Sequence, residues 1–221
     1  EYVIDLQSWR IHINDRSWHI PEGKIPPAEY KILCSIQDSD LFQPQEKVLS
    51  VFAGAHSIAN GDTDIILKNH LDEVVDAVRY SPLFYKDPMK NTGGWALERI
   101  DCDYPGDNTI NWKPSVDPSG GTPGKQNSVA GYVEDFRNPY IDQICYLHDS
   151  VFLISFNEFV TMPEDPADMF LLSDEQNGIE EVSAANAFLD QYTIQFEKAL
   201  EKPLSLALTT GIRDYAGNSY H

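Results

Sequence analysis

Asp101, Asp103 and Asp107 set three carboxylates in a short, turn-rich run that also holds Gly106, and oxygen donors in such a loop suit a calcium ion. The run lacks the distal Glu of a calcium loop and Pro105 interrupts it. Asx turns that bond their own backbone are therefore the plainer reading. Asp214 and Asn218 form a second pair of this kind, again read first as a turn. Among the six histidines there is no H-E-x-x-H and no close helical pair. His12 and His19 would face each other across a hairpin, an arrangement that usually carries no metal. Cys34, Cys102 and Cys145 match no zinc ligand set and read as small, partly buried thiols, with a Cys34–Cys102 bridge as the open alternative. Glu98-Arg99 reads as a structural ion pair or as hydrogen bonds to the loop that follows. Phe84 and Tyr85, in the loop SPLFYKDP, are expected to be exposed aromatics for contact with a carbohydrate or a protein. No serine lies in a nucleophile elbow, no Gly-rich loop opens a helix, and no carboxylate pair is framed by an apolar pocket. The chain is thus expected to be no enzyme and to need no cofactor, calcium at the Asp101 run being the first exception considered and a cation at Asp214 and Asn218 a weaker one.

The elements that must position these residues read as strands. Ile11 and Ile13 lead to the turn signal Asn14-Asp15 and then Trp18 and Ile20, a hairpin pattern. Tyr30–Cys34, Val48–Phe52, Asp64–Lys68 and Val74–Tyr80 follow, the last two joined by Asn69-His70-Leu71-Asp72. Ser35–Lys47 is a polar surface loop. From Ile141 the strands are Ile141–Tyr146, Val151–Phe156, Met169–Leu172, Ile179–Ala184, Gln191–Phe196 and Leu204–Thr209. No helical period is sustained in the first half. Short strands at near-regular spacing predict an all-β fold of two tandem sandwiches.

The stretch GGWALERIDCDYPGDNTINWKPSVDPSGGTPGKQNSV, Gly93 to Val129, organises the first half. A short strand enters it near Trp95 and Leu97, Trp112 anchors its polar excursion, and GGTPG closes it with turn residues.

These residues carry a resemblance. GGWALERID, then NW, GGTPG and NSV, resemble the closing part of the lamin tail domain of secreted proteins from Bacteroidetes-type bacteria. Asn60-Gly61-Asp62, IILKN and EVVDAVRY resemble its preceding strand pairs. The likeness covers about residues 1–129 and departs at the start, where the family has one or two further strands before the segment Ile4-Asp5-Leu6-Gln7-Ser8-Trp9. A second likeness, to bacterial Ig-like domains, covers about residues 139–221. Phe156, Glu158 and Val160 fill its F-x-E-x-V run, and Ile212, Asp214, Gly217 and Asn218 its I-x-D-x-x-G-N turn, after which the family has one more strand. The resemblance implies two tandem Ig-like β-sandwich domains, 1–129 and 139–221, with 130–138 as linker and strands missing at both ends.

Composition narrows the partners. Sixteen basic against 35 acidic side chains give a net charge of −19, which repels nucleic acid and anionic membrane surfaces. Residues 130–221 hold only 4 of the basic side chains and 16 of the acidic ones. No apolar run of about 18 residues exists to span a bilayer. The expected role is a non-catalytic spacer, adhesion or recognition module of a larger exported or cell-surface bacterial protein. Its expected partners are further domains of the same polypeptide and a protein or carbohydrate ligand. The alternatives are accessory domains of a surface hydrolase or nuclease, and a calcium-dependent adhesin.

Overall fold

Alternation of apolar and polar side chains sets most of the strands. In Arg10–Ile13, Ile11 and Ile13 are buried while Arg10 faces water, the period of two that lets one sheet face cover a core. The computed structural model describes residues 2–54, 58–104, 109–173, 177–200, 206–208 and 211–220. It divides into two compact units, Glu1–Val133 and Glu134–His221. Among the described residues the chain is all-β, and its helical content is confined to short 3₁₀ turns.

The first unit contains β1 (Ile4–Asp5), β2 (Arg10–Ile13), β3 (Arg16–His19), β4 (Lys24–Ile25), β5 (Ile32–Ser35), β6 (Val48–Phe52), β7 (Thr63–Lys68), β8 (Val74–Tyr80), β9 (Leu97–Arg99) and β10 (Trp112–Pro114). Strands β3-β2-β7-β8 form one antiparallel sheet. β1 pairs with β4 and β9 with β10, each antiparallel, whereas β5 and β6 pair in parallel. The polar segment between β5 and β6, with its two 3₁₀ turns, is long enough to return the chain for that parallel register. Leu6, Ile11, Ile13, Ile20, Val51 and Phe52 form the core of this unit, closed by the edge-to-face pair Trp18–Phe52 at 5.4 Å.

The hairpin at Asn14-Asp15 forms between β2 and β3, with Asn14 at a left-handed φ of 49°. Its register corrects the expected histidine pair: His19 lies opposite Arg10 and His12 opposite Ser17. A shift of that size along the strands takes the two rings away from a shared ion.

The Gly93–Val129 stretch is fastened by Glu98. Its Oε1 accepts the Thr122 hydroxyl at 2.6 Å, and its Oε2 accepts the Ser128 backbone N–H. Arg99 turns elsewhere, pairing with Asp76 at 2.9 Å and lying 5.1 Å from the Trp112 ring centroid. Phe84, expected at the surface, is 4 % exposed because its ring packs against Trp112 at 6.4 Å. Tyr85 is half-buried and its hydroxyl donates to the Trp95 carbonyl at 2.6 Å. The SPLFYKDP segment therefore braces the loop with its two aromatics, and the large apolar residues exposed there are Leu83 and, just beyond the segment, Met89.

The second unit contains β11 (Ile141–His148), β12 (Val151–Phe156), β13 (Phe170–Leu172), β14 (Ile179–Ala184), β15 (Gln191–Phe196) and β16 (Leu206–Leu208). Strands β11-β12-β15-β14 make an antiparallel sheet, and β13 pairs antiparallel with β16. Ile154, Val160, Ile194 and Ile212 are fully buried at the centre of the core, with Phe156 and Phe196 beside them.

Candidate metal centre

Three acidic side chains of the second unit are buried where ordinary packing would place apolar ones. Asp135 precedes β11, Glu158 lies two residues beyond the end of β12, and Asp214 follows the buried Ile212. Their exposures are 7 %, 9 % and 3 %. One carboxylate oxygen from each lies within 4.8 Å of the others. Charged groups this deep require compensation.

Local structure fixes each position. Glu158 sits between the buried Phe156 and Val160, in a segment held by the Val160 N–H to the Leu189 carbonyl. Asp214 opens a tight turn: its Oδ1 accepts the Asn218 N–H at 2.8 Å, and its own N–H donates to the Asn218 carbonyl at 3.1 Å. Gly217, at φ 89°, supplies the left-handed residue that this turn needs. The Asn218 amide then donates both to Asp214 Oδ2 at 2.8 Å and to the Asp135 carbonyl at 3.0 Å. Asp135 Oδ1 accepts the Arg137 N–H at 3.0 Å and lies 3.5 Å from its guanidinium Nε.

Like charges crowd the group, and Arg137 offsets them in part. Burial raises the Glu158 pKa above its ordinary 4.5, the Asn157 amide opposes this, and the Asp135 and Asp214 charges raise it further, with Arg137 lowering it again. At an effective dielectric near 20, two carboxylates about 5 Å apart repel by roughly 3 kcal/mol. A cation among the three groups would offset that repulsion. Three converging hard oxygen donors suit calcium or magnesium with water completing the shell, and they contain no sulfur or imidazole that would select zinc.

Asp101 and Asp103, singled out from the sequence, lie outside this group. Asp101 Oδ1 accepts the Asp103 N–H at 3.0 Å and its Oδ2 the Val133 N–H at 3.3 Å, so its carboxylate caps backbone. Asp103 is exposed, and Asp107 lies outside the described residues. Cys34, Cys102 and Cys145 are all free thiols, the first buried and the second exposed. Asp214 and Asn218 do form the expected turn, and the structure adds Asp135 and Glu158 to it. Asp135 had drawn no attention in the sequence, because its partners lie 23 and 79 residues away. The available signal was an acid set among strand-forming apolar residues at Glu158, flanked by Phe156 and Val160.

The chain matches no protein-family profile, no curated protein and no solved structure.

Proposed function

We propose that this chain is a pair of tandem Ig-like β-sandwich modules from a larger exported protein, serving as a non-catalytic spacer and recognition segment. In this reading the second module is braced by a divalent cation, calcium first among them, at Asp135, Glu158 and Asp214. The observation that carries the brace is the convergence of three buried carboxylates from separate segments of the second unit, beside the Thr161–Arg213 bridge and the Asn218 amide. A cation there would tie the start of the unit to its end, a useful property in a module pulled from both sides. Lamin-tail and bacterial Ig-like resemblance supports the modular reading, as does the acidic surface.

Thermal unfolding with calcium and with chelator tests the brace. A ligand that binds only the folded state stabilises by about 2.7 kcal/mol at a hundred times its Kd. The expected result is a higher midpoint for the second unit in calcium, absent in Glu158→Gln. An unchanged midpoint up to millimolar calcium and magnesium would remove the cation from the reading.

A further inference from the structure

A cleft of about 460 Å³ opens in the first unit, lined by Ile4, Asp5, Gln7, Ser8, Trp9, Asn69 and His70. Its volume falls in the range of small-molecule sites, roughly 300–1,000 Å³. Two turns build it. In the turn between β1 and β2, the Gln7 N–H donates to Asp5 Oδ1 at 3.0 Å and the Trp9 N–H to the Leu6 carbonyl at 3.1 Å, with Ser8 held at a left-handed φ of 63°. In the turn between β7 and β8, Asn69 Oδ1 accepts the N–H groups of Leu71 and Glu73, and its amide donates to Glu73 Oε2 at 2.7 Å. Both turns are closed by their own hydrogen bonds, so the wall exists before any ligand arrives.

The lining is chemically mixed in a particular way. Trp9 packs partly on the Leu6 and Ile20 core and still lines the cleft, giving a flat aromatic surface. Among the described residues, Asp5 Oδ2, the Gln7 amide, the Ser8 hydroxyl and the His70 ring make no hydrogen bond to protein. These are acceptors and donors that share the cleft with the Trp9 ring. Lys and Arg are missing from the wall, which carries one negative charge at Asp5, so phosphate, sulfate and uronate are disfavoured, as they are by the net charge of −19. A deep apolar ligand would leave these polar groups unpaired.

We infer that this cleft binds a neutral saccharide, one pyranose ring stacking its C–H face on Trp9 while its hydroxyls bond Asp5, Gln7 and His70. The negative ring face attracts polarised C–H groups, and in the forked geometry of neighbouring hydroxyls a carboxylate accepts while a side-chain amide both accepts and donates. The inference concerns a different unit from the cation brace. Saccharide binding therefore persists in chelator, and the two ideas fail separately.

The test is calorimetric titration of the whole chain with neutral hexasaccharides of glucose, mannose and N-acetylglucosamine, with hexagalacturonate and a mixed decapeptide pool as the other ligand classes. At least one neutral hexasaccharide is expected to bind with a Kd on the order of 1 mM or tighter, near −4 kcal/mol. Gln7→Ala with His70→Ala, exposed changes that remove no hydrogen bond within the protein, should weaken that binding about tenfold or more, while Leu83→Ala leaves it unchanged. Absence of binding to all neutral sugars at roughly ten times that Kd overturns the inference. So does unaltered affinity in the double variant, or a preference for hexagalacturonate or peptide.

Discussion

Glu98 Oε2 accepts two hydrogen bonds from Ser128, one from its backbone N–H and one from its hydroxyl, both at 2.7 Å. Thirty residues of loop thus end on one carboxylate, which is 4 % exposed and whose other oxygen takes the Thr122 hydroxyl. Burial alone would raise the Glu98 pKa, but hydrogen bonds from Thr122, Ser128 and Ser115 outweigh it and leave it lowered. Hydrogen bonds to a charged acceptor contribute about 1.5–3 kcal/mol each. Glu98→Ala should therefore destabilise the first unit by about 3 kcal/mol or more, read from the denaturant midpoint of its transition, with Glu98→Gln intermediate.

The same carboxylate gives a pH dependence of known sign. A folded pKa below the ordinary 4.5 contributes stability that is present above that value and is lost as pH falls through the lowered one. Glu158 runs the other way. Its folded pKa lies above 4.5, so in ion-free buffer its contribution is complete below that value and is lost as pH rises through the raised one. Midpoints of the two units, followed from pH 3 to pH 8 in chelator, should have opposite slopes from these groups, and Glu98→Gln or Glu158→Gln should flatten only its own unit's curve.

Removing charge from the carboxylate group separates brace from burden. Glu158→Gln relieves like-charge repulsion, so in chelator the second unit should unfold at the same or a higher temperature than the parent. In calcium the order should reverse, because the variant has lost a ligand. A variant that is less stable under both conditions would show that the Glu158 carboxyl is needed for its hydrogen bonds alone.

A glycine in the organising loop makes a sharper test. Gly120 has φ 89°, its carbonyl accepts the Ala96 N–H at 2.7 Å, and a Cβ built there would collide with the Gly94 carbonyl. Neither backbone can move without breaking the Ala96 bond. Gly120→Ala should cost about 3 kcal/mol or more in the first unit. Gly61→Ala, where a Cβ meets nothing within 4 Å, should be near neutral by the same measurement.

What the residues disclosed in advance was mostly the strands. β6, β8, β12, β14 and β15 have the bounds expected from apolar patterning, because a half-buried strand must alternate. Pairing was less legible. The parallel β5–β6 ladder and the offset of His19 against Arg10 depend on where loops return the chain, which a local period does not encode. Phe84 was misread because an aromatic in a Pro-bounded loop is exposed or buried according to its partner, and Trp112 lies 28 residues on. Lys90, two residues beyond that loop, shows the same dependence: it sits 4.1 Å over the Trp95 ring and donates to the Ser115 carbonyl. Asp214 was visible as a turn residue through its Gly217-Asn218 neighbours. Its grouping with Asp135 and Glu158 required the third dimension.

Tyr192 lies under the sheet with its hydroxyl donating to the Val160 carbonyl at 2.9 Å and its ring edge-to-face with Phe156 at 6.2 Å. Burial, with the Asp190 charge beside it, pushes its pKa from 10.0 up to about 12. An acid whose folded pKa is raised contributes stability that is complete below 10 and is lost as pH climbs toward 12. In the phenolate absorbance titration of the chain's 11 tyrosines, the difference between the parent and Tyr192→Phe should therefore appear only near pH 12 or with alkaline unfolding of the second unit. At neutral pH the variant keeps the ring packing but leaves the Val160 carbonyl, in a residue that is 0 % exposed, without its donor. That loss should cost about 1–2 kcal/mol. A normal tyrosine titration near pH 10 assigned to Tyr192 would place its hydroxyl in water and contradict the packing of this core.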